Sequence, residues 1–110
     1  MAFSKEIKIK ALSVNKAWQG RRYKTPEYNA YEKELLLLLP KGKVGKGDLT
    51  VVIIFGYSNK RNDIDNGLKP LLDILQKKYG FNDNQIISLE VKKDKTAKGD
   101  EYVYFEIDET

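Results

Sequence analysis

The chain has no cysteine and no histidine in 110 residues. The first absence removes thiolate metal sites, cysteine nucleophiles and disulfides. The second removes Ser-His-Asp and Cys-His catalysis, together with His-ligated zinc of the hydrolase or deaminase type. Proline is scarce at three residues, so Pro26, Pro40 and Pro70 each serve as a marker of a helix boundary. No apolar run approaches the roughly 18 residues of a membrane span, and the N-terminus lacks a secretory apolar region. A soluble cytoplasmic protein is therefore the expectation. Any enzyme built here must work with carboxylates, lysine, tyrosine and an acquired ion.

What is present fits one domain over residues 1–110, long enough to bury about two thirds of its unfolded surface without a staple. The net charge is +4, but it is unevenly laid out. Residues 1–47 carry 11 Lys and Arg against 4 Asp and Glu, a balance of +7; residues 48–110 carry 9 against 12, a balance of −3. This segregation suits a chain that grips phosphates with one region and gathers carboxylates for a divalent cation in another. A chance distribution of surface charge is the competing account.

Phe3 to Lys10 alternates, with Ile7 and Ile9 opposite Lys8 and Lys10, as a half-buried strand does. Ser13 to Lys24 is polar and basic, with Trp18 and Tyr23 interleaved, and reads as a loop. Thr25-Pro26-Glu27 is a helix start, from which Tyr28, Tyr31, Leu35 and Leu38 recur at helical spacing up to Pro40 and Gly42. Lys41–Gly47 matches no phosphate-binding glycine motif and reads as a mobile basic turn. Leu49–Tyr57 is apolar on both faces, as in a central strand. Leu68, Leu71, Leu72, Leu75 and Tyr79 describe an amphipathic helix ending at Gly80. Ile86–Val91 and Tyr102–Ile107 are two further strands across a charged loop. The order β-α-β-α-β-β predicts an α+β fold, a small mixed sheet of about four strands with two helices in two layers.

The pattern breaks at Lys60-Arg61-Asn62-Asp63-Ile64-Asp65-Asn66. In an extended segment Asp63 and Asp65 point to the same side, so two carboxylates converge just before the helix. Along the helix, Asn66, Lys69 and Asp73 share one flank away from the leucine stripe. Asn82-Asp83-Asn84 supplies another carboxylate before the third strand. Taken singly, each has an ordinary reading: Asp and Asn as turn or cap residues, Lys69 with Asp73 as a surface ion pair. An EF-hand is excluded, because Gly67 stands one place early and Ile74 occupies the position that needs Glu.

The combination resembles the RusA-type Holliday junction resolvases. It is carried by Asp63-Ile64-Asp65-Asn66, Lys69, Asp73, the run Gly80-Phe81-Asn82-Asp83-Asn84-Gln85-Ile86-Ile87, the basic strand end at Lys92, and Ser13-Val14-Asn15 as the early Ser-x-Asn element. Two departures stand out: the prolines that often precede Ser-x-Asn are absent, and Asn82 occupies a place where relatives often carry a second Asp. The resemblance implies a homodimeric, Mg²⁺-dependent endonuclease, with Mn²⁺ able to substitute, that cuts branched DNA at four-way junctions in recombination and repair. It implies essential roles for Asp63, Asp65 and Asp83 as metal ligands and for Lys69 as the catalytic lysine, supported by Asn66 and Asp73. Hard oxygen ligands without His or Cys agree with Mg²⁺ chemistry.

A difficulty comes with this reading. If the strand before the helix and the strand after it form a parallel crossover, about fourteen residues of helix separate Asp63 and Asp65 from Asp83 by roughly 20 Å, too far for one ion. Either the strands are not so arranged, or Asp83 of one subunit completes the Asp63/Asp65 site of the other; the second is the expectation. The DNA grip is expected from Asn15, Lys16, Arg21, Arg22 and Lys24, with Lys60, Arg61, Lys92 and Lys93 nearer the metal. Trp18 or Tyr23 is placed to stack on unpaired bases or to pack under the loop. The outer face of the Tyr102–Ile107 strand is one surface for dimerisation. Two rivals stand beside this assignment: a restriction-like nuclease centre of Asp83, Glu90 and Lys92, and a non-catalytic module that binds structured nucleic acid.

Overall fold

A computed structural model describes residues 2–19, 23–59 and 61–110. The elements are β1 (Ala2–Ile7), the single-turn α1 (Val14–Ala17), β2 (Trp18–Gln19), β3 (Tyr23–Lys24), α2 (Pro26–Leu38), β4 (Leu49–Tyr57), α3 (Leu68–Tyr79), β5 (Ile86–Lys95) and β6 (Tyr102–Glu109). The main sheet has the order β1-β6-β4-β5 and is mixed: β4 and β5 run parallel, while β6 is antiparallel to both β1 and β4. This is the α+β architecture that the hydrophobic periodicity implies. The basic stretch read as a loop is more ordered than expected, since α1 and the β2–β3 ribbon fall within it. Among the described residues no helix is long and apolar enough to cross a membrane.

One apolar cluster explains the layering. Val51, Ile53 and Phe55 of β4 and Val103, Phe105 and Ile107 of β6 alternate onto a single face, which is buried with Tyr28, Tyr31 and Leu35 of α2 and Leu71, Ile74 and Leu75 of α3. Both long helices therefore lie on that face. The α2 start is as its sequence predicts: Thr25 Oγ1 accepts from the Tyr28 N–H at 3.1 Å, with Pro26 in the first turn. Its end differs by one residue. Leu38 is 46% exposed and Leu39 only 5%, because the chain turns extended at Leu39 and the next side chain swings into the core.

The Lys41–Gly47 segment is pinned, contrary to the mobile turn expected. Val44 is buried and donates to Tyr79 O, Gly45 N–H donates to Glu109 Oε1, and Gln85 Nε2 donates to the carbonyls of Gly45 and Gly47. The Tyr79 hydroxyl joins this clamp by donating to Pro40 O at 2.8 Å, while burial pushes its pKa up to about 12. Tyr79→Phe is expected to lower stability by about 1 kcal/mol, read from urea midpoints at unchanged slope, because it leaves the Pro40 carbonyl without that donor.

The parallel pairing of β4 with β5 settles the arrangement of the site. The chain leaves the sheet at Tyr57, returns along α3 and re-enters at Ile86, so the two ends of α3 lie at opposite ends of the sheet. Gly80 makes the reversal possible. It takes φ +72° as the left-handed C-cap and donates to Gln76 O at 2.8 Å.

Candidate functional site

The Asp63–Gly67 segment is a succession of turns, not the extended strand assumed from its spacing. Asn66 N–H donates to Asp63 O and Leu68 N–H to Asp65 O, both at 3.1 Å. The period-two argument for aligning the two carboxylates therefore does not hold, but both side chains are exposed on the same short turn. Their ordinary alternative role, capping α3, is ruled out: Gly67 holds the N-cap position and no side chain caps the helix. Among the described residues neither carboxylate has a hydrogen bond or ion-pair partner, and both stand ahead of a helix N-terminus, where negative charge is favoured.

The turn is seated from below. A Cβ at Gly67 would lie 3.0 Å from the Phe55 ring, 3.1 Å from the Tyr57 hydroxyl and 3.2 Å from Ala11, so a larger residue would have to push these neighbours by a few tenths of an ångström, and glycine lets the backbone settle on the end of β4 without that. The Tyr57 hydroxyl rests against the Gly67 backbone without a hydrogen bond of good geometry. Burial pushes its pKa up to about 12; the Gly67 backbone opposes that shift and nearby Asp65 adds to it. From the sheet side, Lys93 Nζ donates to Asn62 O at 2.6 Å, which ties the end of β5 to the turn.

Lys69 sits in the first turn of α3 with Nζ 3.6 Å from Asp73 Oδ2. Both belong to an open groove of about 260 Å³ that Leu68, Leu72 and Gln76 continue to Asp83. At the far end, Asp83 opens a single turn of 3-10 helix held on every side. Its N–H donates to Gln76 Oε1 at 2.8 Å, Asn82 Oδ1 accepts from Asn84 N–H, and Gln85 Oε1 accepts from Asn82 N–H. The carboxylate itself is exposed and makes no ion pair among the described residues. Asn82 thus has a capping task that accounts for an amide at that position. The sequence reading missed Gln76 and Gln85, which position Asp83; an isolated glutamine carries no periodic or motif signal.

The carboxylates do not meet within one chain. The twelve residues of α3, at 1.5 Å each, put about 18 Å between the Asp63/Asp65 turn and Asp83. Among the described residues no three carboxylates come close enough to hold one cation.

The basic residues divide by face. A second groove, of about 500 Å³, joins Ser13 and Lys16 to Ser58, Asn59 and Asn62, so the basic N-terminal segment borders the residue that immediately precedes the acidic turn. Asn15 falls within α1 and Lys16 is exposed. Lys24 pairs with Glu32 at 3.6 Å and lies 4.8 Å over the Tyr28 ring, while Arg61 is exposed beside the turn. Arg21, Arg22 and Lys60 lie outside the described residues. The two lysines of β5 separate: Lys93 aligns with Phe55 on the helix-covered face, whereas Lys92 aligns with Ile54 on the other and pairs with Glu90 at 3.6 Å. Since Asp83 lies beside α3, the residues of the restriction-like alternative are on different faces of the sheet. Glu90→Gln is accordingly expected to change DNA cleavage less than about threefold, measured as single-turnover rates, since the exposed pair it breaks is weak.

Comparison with known families gives a match over most of the chain. The model for the endodeoxyribonuclease RusA family covers residues 8–107, which include Asp63, Asp65, Lys69, Asp73 and Asp83 and the residues that line both grooves. A search of curated proteins finds no match.

Proposed function

The chain belongs to the RusA family and is an endodeoxyribonuclease of the Holliday junction resolvase class; from that premise we propose that it resolves four-way junctions by Mg²⁺-dependent phosphodiester hydrolysis, each active site being shared between two copies. The observation that carries this reading is the Asp63/Asp65 turn, whose exposed carboxylates lack partners among the described residues and directly follow Asn62, a residue that lines one groove with Ser13 and Lys16 of the basic N-terminal segment. Carboxylates committed to structure would be capping or paired.

The donor set fits a hard divalent cation. Asp63 and Asp65 would hold it with the partner's Asp83, all through oxygen, the chemistry that Mg²⁺ and Mn²⁺ prefer. When bound, such an ion supplies Lewis-acid stabilisation of the phosphate and activation of the attacking water. The remaining work belongs to this chain's own side chains. Lys69, oriented by Asp73 at the start of α3, places a compact cation where the leaving oxygen gains negative charge as its bond to phosphorus breaks. Lys16, Lys24, Arg61 and Lys93 contact phosphates and fix the arms without reading sequence. Asn66, half-buried in the turn, keeps Asp63 in place through its backbone bond.

The expected result with an end-labelled mobile four-way junction is a pair of symmetric nicks in Mg²⁺ or Mn²⁺. Chelation by EDTA is expected to stop cutting while a gel shift shows the junction still bound. A tight complex that no divalent ion converts to nicked product would instead identify a non-catalytic binding module.

A further inference from the structure

We propose that Tyr57 is a positioning residue of the acidic turn: its hydroxyl donates to the Asp65 carboxylate when that side chain turns to hold a divalent cation, and so fixes the orientation of the ligand. The proposal rests on the reading of Asp65 as a ligand and adds the group that keeps it in place.

The starting observation is a buried polar atom without an acceptor. Tyr57 ends β4 and is only 6% exposed, yet its hydroxyl makes no hydrogen bond of good geometry among the described residues. Leaving a buried hydroxyl unpaired is costly, and such groups are rare away from sites that use them. The rest of the residue is held firmly. Its ring stacks on Phe55 with 5.7 Å between centroids, and its backbone carbonyl accepts from the Thr96 N–H at 2.9 Å. The sheet therefore fixes where the phenol oxygen stands, directly beneath the turn that carries Asp65.

The neighbours of that oxygen decide where its proton can go. The Gly67 backbone opposes the rise in the phenol's pKa, as an N–H aimed at the oxygen does, so it serves a lone pair and leaves the proton unassigned. Two acceptors act on the hydroxyl. One is Tyr31 of α2, itself buried with an unpaired hydroxyl; the other is Asp65, the carboxylate whose charge bears on Tyr57. A charged acceptor forms the stronger hydrogen bond. Asp65 is also able to turn toward it. Its side chain is exposed, caps nothing and has no partner among the described residues, while its carbonyl is anchored by the Leu68 N–H. A carboxylate has two oxygens, so one can accept from Tyr57 while the other faces the cation. Hydrogen bonds of this outer kind orient metal ligands, and their removal typically costs about 10–100-fold in metal affinity or activity.

Tyr57→Phe keeps the ring and its stack on Phe55 and removes only the hydroxyl. Mn²⁺ is titrated into the full chain and the free ion is counted by electron paramagnetic resonance; Tyr57→Phe is expected to bind at least about tenfold more weakly than the parent. Nicking of a four-way junction should show the same shift in the Mn²⁺ concentration that gives half the maximal rate, with the rate at saturating Mn²⁺ within about threefold of the parent. The thermal midpoint in EDTA, followed by circular dichroism, is expected to be unchanged or higher, because the metal-free fold loses no hydrogen bond. In an Asp65→Asn background, Tyr57→Phe is expected to weaken Mn²⁺ binding no further, since both substitutions act through one side chain. If Asp65→Asn loses the ion while Tyr57→Phe binds it like the parent, the positioning role is overturned and the acidic-turn reading stands. A lowered thermal midpoint with parental Mn²⁺ binding would overturn the role as well and assign the hydroxyl to Tyr31. A parent whose Mn²⁺ binding Asp65→Asn leaves intact, or one that binds no Mn²⁺, would overturn both.

Discussion

Asp65→Asn is expected to bind a four-way junction about as tightly as the parent protein and to cut it at least about 10³-fold more slowly. The substitution keeps size and hydrogen-bonding capacity but removes the negative charge that makes the side chain a ligand for a hard cation. A Lewis-acid contribution of several kcal/mol corresponds to about three powers of ten in rate. Folding should be little affected, since the carboxylate is exposed, caps nothing and has no ion-pair partner among the described residues. Affinity is measured by gel shift in EDTA and cleavage by single-turnover nicking in Mg²⁺. An Asp65→Asn protein that nicks at the parental rate would show that this turn is not the catalytic centre.

The second large effect concerns how many chains make one site. Asp63→Asn and Asp83→Asn proteins are each expected to be inactive alone, and their mixture active. In a heterodimer with shared sites, one site receives both lesions and the other receives none. Random mixing makes about half the dimers heterodimers, so about a quarter of parental sites return. One intact site per dimer yields single nicks, not paired cuts, and a nicking assay on a supercoiled cruciform detects them. A demonstrated heterodimer with no nicking would mean that Asp83 does not act across an interface, and that the 18 Å separation is closed in some other way or that Asp83 has no catalytic part.

Much of this site is legible in the residues because its signals are local. Thr25-Pro26 marks a helix start and Gly80 a helix end by steric and hydrogen-bonding rules that act within a few residues, and both hold. The leucines of α3 repeat at the helical period, which leaves Lys69 and Asp73 together on the other flank, 3.6 Å apart. Where a local rule was extended to a segment without a period, it failed. Strand geometry aligns Asp63 and Asp65, which instead lie on turns, and composition alone implies a mobile Lys41–Gly47, whose anchors Tyr79, Gln85 and Glu109 lie more than thirty residues away.

By itself, the sequence determined the chemistry available. Without histidine or cysteine, an active site must be built from oxygen ligands and lysine, and the Asp63, Asp65, Lys69 and Asp83 spacings pointed to the family that residues 8–107 match. Only the tertiary structure decided which of these groups can act together. The parallel pairing of β4 with β5 places Asp83 at the opposite end of the sheet from Asp63 and Asp65, turns Lys93 toward the acidic turn and Lys92 away from it, and leaves β5 as an uncovered edge. Strand order and register come from burying side chains far apart in the chain against one another, and a pattern that repeats every two or four residues carries no record of which distant strand will be its neighbour.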